Sequence, residues 1–213
     1  MIDNISGDGL RIASGYSSFS SANNTFSNNN YGVRLGINAS FDDNTSTFQG
    51  NNVDMYVDGG TITQDVTWNL KSDYSVYVSG DITVAAGKRL TVKPGTVVKF
   101  AQYRYITVDG ELYAVGSSGA PIYFTDWRDD TVGGDANKDG NATQPSPGWW
   151  WMIQVKGAGS ATLDWCQIAY AGYSWGVGVY KTGTGNLSMT RSTISRVSGH
   201  GLFVENSTGS VVL

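Results

Sequence analysis

An acidic loop carries the most distinctive chemistry in the sequence. Asp135, Asn137 and Asp139 alternate within the run D-A-N-K-D-G. Calcium takes roughly six to eight oxygen ligands, and alternating carboxylates and amides on a tight loop supply them. Zinc is disfavoured because the loop contains no Cys or His. We therefore expect a structural Ca²⁺, with the alternative of a solvated acidic turn that holds no ion. The carboxylates available to complete the site are Asp126, Asp129 and Asp130.

An aromatic segment follows this loop, at Trp149-Trp150-Trp151. Successive side chains of a strand point to opposite faces. If Ile153 and Val155 point inward, Trp151 is also inward and a set of large side chains points outward. Exposed apolar patches mark binding sites, and Tyr and Trp suit sugar rings. We therefore predict a ligand-binding surface, unless the acidic loop folds over it. Its predicted members are Tyr103, Tyr105, Trp150, Met152, Gln154 and Tyr56, with Thr107 and Phe203 on the same face.

Catalytic groups are sparse. The single histidine, His200, lies in Gly199-His200-Gly201, which resembles a motif of polygalacturonase-type hydrolases. Those enzymes need carboxylates on neighbouring rungs as acid and base, and the preceding rung has none. A lyase would need a basic residue beside an acidic cluster on one sheet. Outward Lys99 has no such cluster on its strand, so we expect no catalytic residues.

Short strand-like apolar pairs recur along the chain and frame these groups. The steps between them are 23, 22, 27, 24, 47, 24 and 25 residues. A period in the low twenties indicates a stacked β-solenoid. The step of 47 predicts one ordinary rung plus an insertion at about 126–149. The pairs are Leu10/Ile12, Val33/Leu35, Met55/Val57, Ile82/Val84, Ile106/Val108, Ile153/Val155, Val177/Val179 and Leu202/Val204.

Two further apolar positions lie between one pair and the next. This spacing predicts three short strands per rung, and hence three parallel sheets around one core. Phe19/Phe41 and Phe26/Phe48 show the same order in the first rungs. The predicted fold class is all-β, a parallel β-helix of about eight rungs. We expect a single domain over 1–213 that is a segment of a longer protein, with neighbouring repeats as partners.

Composition limits the possible partners. The chain has 213 residues, a net charge of −4 and no Lys/Arg cluster, so nucleic acid is an unfavourable partner. No run approaches the ~20 apolar residues of a membrane span, so membrane insertion is not expected. One cysteine, Cys166, excludes an internal disulfide.

Three runs of the sequence are similar to repeats of a known family. They are SGDITVAAGKRLTVKPGTVVKF, ITVDGELYAVGSSGAPIYFTD and RDDTVGGDANKDGNATQPSPGWW. They resemble the right-handed parallel β-helix repeats of bacterial and archaeal surface proteins, which share the pectate-lyase-like architecture. The resemblance implies a right-handed solenoid. That architecture hosts lyases, hydrolases, adhesins and carbohydrate binders, so the fold does not decide the function.

These observations lead to one expectation with two alternatives. We expect a non-catalytic module of a secreted or cell-surface protein that binds a polysaccharide or another cell-surface ligand through the aromatic surface. One alternative is a polysaccharide lyase or glycoside hydrolase on the same fold. The other is a structural spacer, in which the aromatic surface has no ligand.

Overall fold

The computed structural model describes residues 1–13 and 19–213. Within these residues the regular structure consists of strands, with no helix, and parallel sheets stack as a β-solenoid of about nine turns. The predicted all-β fold class is confirmed, with about one turn more than expected. Within the same residues, no helix is long and apolar enough to cross a membrane.

Two sheets of eight strands run the length of the solenoid. Sheet 1 comprises Asp8–Ile12, Tyr31–Leu35, Val53–Val57, Ser75–Val78, Val97–Phe100, Ile122–Asp126, Cys166–Ala169 and Thr193–Ser195. Sheet 3 comprises Phe19–Ser20, Phe41–Asp43, Val66–Leu70, Arg89–Val92, Glu111–Val115, Ser160–Asp164, Leu187–Thr190 and Val211–Val212.

Two shorter sheets complete the cross-section. Sheet 2 has six strands: Gly60–Ile62, Ile82–Val84, Ile106–Val108, Ile153–Val155, Val177–Gly183 and His200–Ser207. The N-terminal sheet has three: Ile2–Asp3, Thr25–Ser27 and Thr47–Gln49. Along the chain, each strand of the N-terminal sheet follows a strand of sheet 3 in the first turns. From Gly60 onward, each strand of sheet 2 instead lies between a strand of sheet 1 and a strand of sheet 3.

This change of cross-section corrects the predicted repeat. The first three apolar pairs, up to Met55/Val57, lie in sheet 1, whereas the pairs from Ile82/Val84 onward lie in sheet 2. The step of 27 residues between Met55 and Ile82 therefore joins positions in two different sheets and is not a repeat length. Near the C-terminus the register is also shifted from the prediction, because Val179 and Lys181 pair with Ile153 and Val155.

Inward side chains from the sheets form one continuous apolar core. Ile82, Ile106 and Ile153 stack in register on successive rungs of sheet 2, and all three are fully buried. The rung spacing is about 4.8 Å, so equivalent side chains contact one another directly. Trp68 and Trp150 are the largest side chains in this core.

Two glycines at the corner between sheets 2 and 3 have no room for a side chain. A Cβ at Gly159 would lie 2.0 Å from the Val108 carbonyl oxygen of the preceding rung. The same crowding recurs one rung on, where a Cβ at Gly185 would lie 1.9 Å from the Gly159 oxygen. Glycine is required here because the backbones of successive rungs approach so closely.

We predict that Gly159→Ala lowers the free energy of unfolding by about 2 kcal/mol or more, because the added methyl forces the rungs apart. The measurement is urea unfolding followed by circular dichroism. Gly119→Ala is the matched control, since a Cβ there meets nothing within 4 Å. Equal stability of the two variants would contradict the tight corner.

Candidate functional site

An open groove lies on the outer face of sheet 2. Its volume is about 170 Å³. Thr107 and Gln154 form part of its floor, because they stand in register on adjacent strands between inward-pointing residues. Aromatic rings form much of the remaining surface. The lining residues are Tyr105, Thr107, Trp151, Met152, Gln154, Lys156 and Trp175.

The three consecutive tryptophans that close the insertion have three different surroundings. Trp149 lies under the Arg128 guanidinium at 3.5 Å and donates its Nε1–H to the Phe100 carbonyl at 3.0 Å. Trp150 is 0% exposed and stacks on Phe100 in the core, with ring centroids 4.3 Å apart. Trp151 lies in the groove. Two of the three rings therefore fix the insertion, and one is available to a ligand.

The predicted orientation of these tryptophans is wrong. Trp150 was expected to point outward and Trp151 inward, and the structure has the reverse. The strand begins only at Ile153, so its alternation does not extend back to the tryptophans. Tyr103 also interrupts the alternation on the rung before, since its φ is 69°.

Met152, Gln154 and Tyr105 do lie on the predicted face. Met152 is 3% exposed, yet it lies outside the main core, in a small outer cluster with Val177, Tyr180 and Trp151. It therefore forms a covered floor beneath the aromatic rings. Val177 is buried as predicted, at 2% exposed, but it belongs to this outer cluster and not to the main core.

Aromatic rings continue from the groove along sheet 2. Tyr105 meets Trp151 edge-on at 5.3 Å, and Trp151 meets Trp175 in the same way at 6.2 Å. Trp175 then contacts Tyr180, which stacks on Phe203. Trp175 is 59% exposed, so the row is open to solvent at its centre. Tyr103 lies beside the row and packs on Tyr173 at 4.2 Å.

Trp175 and Lys156 line the groove, and neither was predicted from the sequence. Trp175 sits between Ser174 and Gly176, whose φ angles of 64° and 67° form a tight turn. A tryptophan flanked by turn-forming residues cannot pack inward along a strand. That local pattern is the signal that could have identified it.

Tyr56 lies on another face, so its predicted place on the outer face shared with Tyr103 and Tyr105 is wrong. It belongs to sheet 1, where Tyr31, Tyr56 and Tyr77 form a ladder of contacting rings that Trp127 of the insertion extends. The Arg34 guanidinium covers the Tyr56 ring at 5.1 Å and pairs with Asp58. These contacts are made within the protein, and the ladder lies outside the groove.

The acidic part of the insertion lies over sheet 1 and leaves the groove open, whereas the last residues of the insertion, Trp151 and Met152, line the groove. The insertion spans 127–152, between Asp126 and Ile153. A Cβ at Gly133 would lie 2.9 Å from the Val97 side chain, which shows how closely the insertion approaches this sheet. Lys99, on the same strand as Val97, donates to the Gly134 carbonyl at 2.7 Å. The alternative that the insertion covers the groove rings does not match this placement.

The acidic residues of the insertion separate into two sets. Oxygen atoms of Asp130, Asp135 and Asp139 lie within 4.8 Å of one another. Asp126 and Asp129 stand apart from this cluster. Asp126 accepts hydrogen bonds from Arg128 and from the Ser146 amide, while Asp129 accepts from Thr125 and Thr131.

The cluster contains oxygen atoms that lack a donor. Both carboxylate oxygens of Asp130 and the Oδ1 of Asn137 are inaccessible to solvent and have no hydrogen-bond partner. Burial and the neighbouring Asp135 raise the pKa of Asp130. Hydrogen bonds from Thr143 lower the pKa of Asp139. Unpartnered buried oxygens are unfavourable, and a cation among them would supply the missing interaction.

His200 and Cys166 lie in surroundings that do not resemble a hydrolase site. His200 starts a strand of sheet 2 and stacks on Phe203 at 5.7 Å. In the part of the chain that the structure describes, no carboxylate is hydrogen-bonded to the His200 ring. Cys166 is fully buried, and burial raises the pKa of its thiol to about 12.

A protein of Drosophila melanogaster named Protein bark beetle is similar in sequence. It is 33% identical to this chain over 100 residues, which is 45% of this chain and 3% of that protein. The match therefore concerns a small part of a much longer protein. No protein-family model and no solved structure matches the chain.

The different surroundings of the tryptophans predict different effects of truncation. Trp150→Ala should lower the free energy of unfolding by about 3–5 kcal/mol, because it leaves a cavity against Phe100. Trp175→Ala should change it by less than about 0.5 kcal/mol, because that ring is mostly exposed. Urea unfolding of the two variants measures both values. A destabilising Trp175→Ala combined with a neutral Trp150→Ala would contradict the observed orientations.

Proposed function

We propose that this solenoid is a non-catalytic, ligand-binding module of a secreted or cell-surface protein, and that the groove on sheet 2 binds carbohydrate. The exposure of Trp175 at the centre of a row of aromatic rings is the observation that carries this proposal. Flat aromatic faces pack against the apolar faces of sugar rings, and Gln154 and Lys156 provide polar groups for hydroxyls.

The finer description of the fold belongs to the same proposal. We infer a right-handed winding of the pectate-lyase-like type, because connections between parallel strands of one sheet are right-handed in about 98% of cases. The matched stretch occupies 3% of the Drosophila protein. We propose a similar setting in a longer chain here, with neighbouring repeats as intramolecular partners.

Calcium is the second part of the proposal. We propose that Asp130, Asp135, Asp139 and Asn137 hold a structural Ca²⁺ that orders the insertion. The unpartnered oxygens of Asp130 and Asn137 support this set. Asp126 and Asp129 are left out of it, because they do not belong to the three carboxylates whose oxygens lie within 4.8 Å of one another.

We predict that Trp175→Ala and Trp151→Ala each weaken polysaccharide binding at least about tenfold, because a central aromatic side chain typically contributes on the order of 1–2 kcal/mol or more. The measurement is an array of immobilised β-glucan, xylan, chitosan and polygalacturonate. Tyr113→Ala is the matched control, since Tyr113 is an exposed aromatic residue on sheet 3. The carbohydrate proposal fails if no polysaccharide binds the wild type, or if Trp175→Ala binds as well as the wild type.

We predict that Ca²⁺ raises the melting temperature by about 3–6 °C over a chelator when its free concentration is about tenfold above the dissociation constant. Asp130→Asn and Asp135→Asn should each abolish this shift, because they remove ligand charge. Asp109→Asn, at the corner between sheets 2 and 3, should retain it. An unchanged melting temperature of the wild type at about 10 mM Ca²⁺, which exceeds the dissociation constants of extracellular calcium modules, would remove the metal from the proposal.

A further inference from the structure

Lys99 is a lysine in an unusual place. It lies on the strand Val97–Phe100 of sheet 1, where Val98 and Phe100 point into the core and Lys99 points outward. An outward lysine on a solenoid would ordinarily be hydrated, yet Lys99 is 0% exposed because the insertion lies over it. Its ammonium donates to the Gly134 carbonyl, next to Asp135.

The surroundings of Lys99 are predominantly acidic. Burial lowers its pKa to about 8, and Asp129, Asp130 and Asp135 oppose that effect, while Lys138 of the insertion adds a smaller lowering. Asp54, buried on the same face of sheet 1, interacts electrostatically with Lys138 and, less strongly, with Lys99, and its own pKa is raised by burial. A buried ammonium is tolerated only where opposite charge and hydrogen bonds compensate its lost hydration. The acidic insertion provides this compensation.

Lys99 and the acidic cluster share two carboxylates. Asp130 and Asp135 belong both to the set that attracts Lys99 and to the three carboxylates that meet within 4.8 Å. The Asp130 oxygens accept no hydrogen bond, so the attraction between Lys99 and Asp130 is electrostatic and acts without direct contact. A divalent cation in the cluster would therefore be repelled by a fixed positive charge that it does not need to displace.

We propose that the Lys99 ammonium is the resident counter-ion of the acidic insertion, and that it sets the affinity of the Asp130–Asp135–Asp139 cluster for divalent cations. This inference rests on the calcium site proposed above. Lys99 holds the insertion against sheet 1 without a metal, and it makes the cluster a weak site. A dissociation constant on the order of 10⁻⁴–10⁻³ M, the range of extracellular calcium modules, is expected.

Removing the Lys99 charge should raise the affinity of the acidic cluster for calcium. Lys99→Met leaves the carboxylates with one positive charge fewer beneath them, so calcium should bind about tenfold tighter or more. Lys99→Gln should show the same direction with a polar side chain. Lys93→Met is the matched control, because it changes the net charge equally at an exposed lysine on the adjoining turn.

Isothermal titration with CaCl₂ at pH 7 tests this on the full chain. Tighter binding by Lys99→Met or Lys99→Gln, with Lys93→Met like the wild type, supports the proposal. Equal or weaker binding by a folded Lys99 variant overturns it and leaves the calcium site intact. If neither the wild type nor any variant binds calcium, the metal site itself fails, and this inference fails with it.

Discussion

The register of backbone pairing between rungs is the constraint on which the outer surface depends. Side chains alternate along each strand, so a slip by one residue would exchange the core and the surface. Ile106 and Ile153 pair in register although 47 residues separate them in sequence, which keeps Thr107 and Gln154 on one outer face. The groove is therefore a product of core packing.

The insertion is held in place by contacts on both of its sides. Trp150 enters the core against Phe100, and Trp149 packs under Arg128, which itself pairs with Asp126. On the sheet 1 side, the Lys99 ammonium bonds to the Gly134 carbonyl. These anchors place the acidic cluster and the groove on different faces of one rigid frame. Trp151 enters the groove because its neighbour Trp150 is fixed.

The period of the apolar pairs was sufficient to predict a parallel solenoid and the position of the insertion. It was not sufficient to predict the change of sheet after Met55/Val57, because both sheets have the same period and pattern. Alternation correctly placed Gln154 but failed at Trp150, since alternation applies only where the backbone is extended and paired. The acidic spacing was sufficient to predict that Asp135 and Asp139 lie close together. It could not separate Asp130, which joins them, from Asp129, whose carboxylate accepts hydrogen bonds from Thr125 and Thr131.

The most direct test of the account uses the indole N–H signals of the seven tryptophans in a ¹H–¹⁵N NMR spectrum. The protein is titrated with each polysaccharide of the array, after assignment by single substitution. If the groove is the ligand site, the signals of Trp151 and Trp175 shift on binding, while those of Trp68 and Trp150 in the core stay unchanged. Binding that leaves Trp151 and Trp175 unshifted, or that shifts Trp127 beside Tyr77 of sheet 1 instead, would contradict the groove as the ligand site.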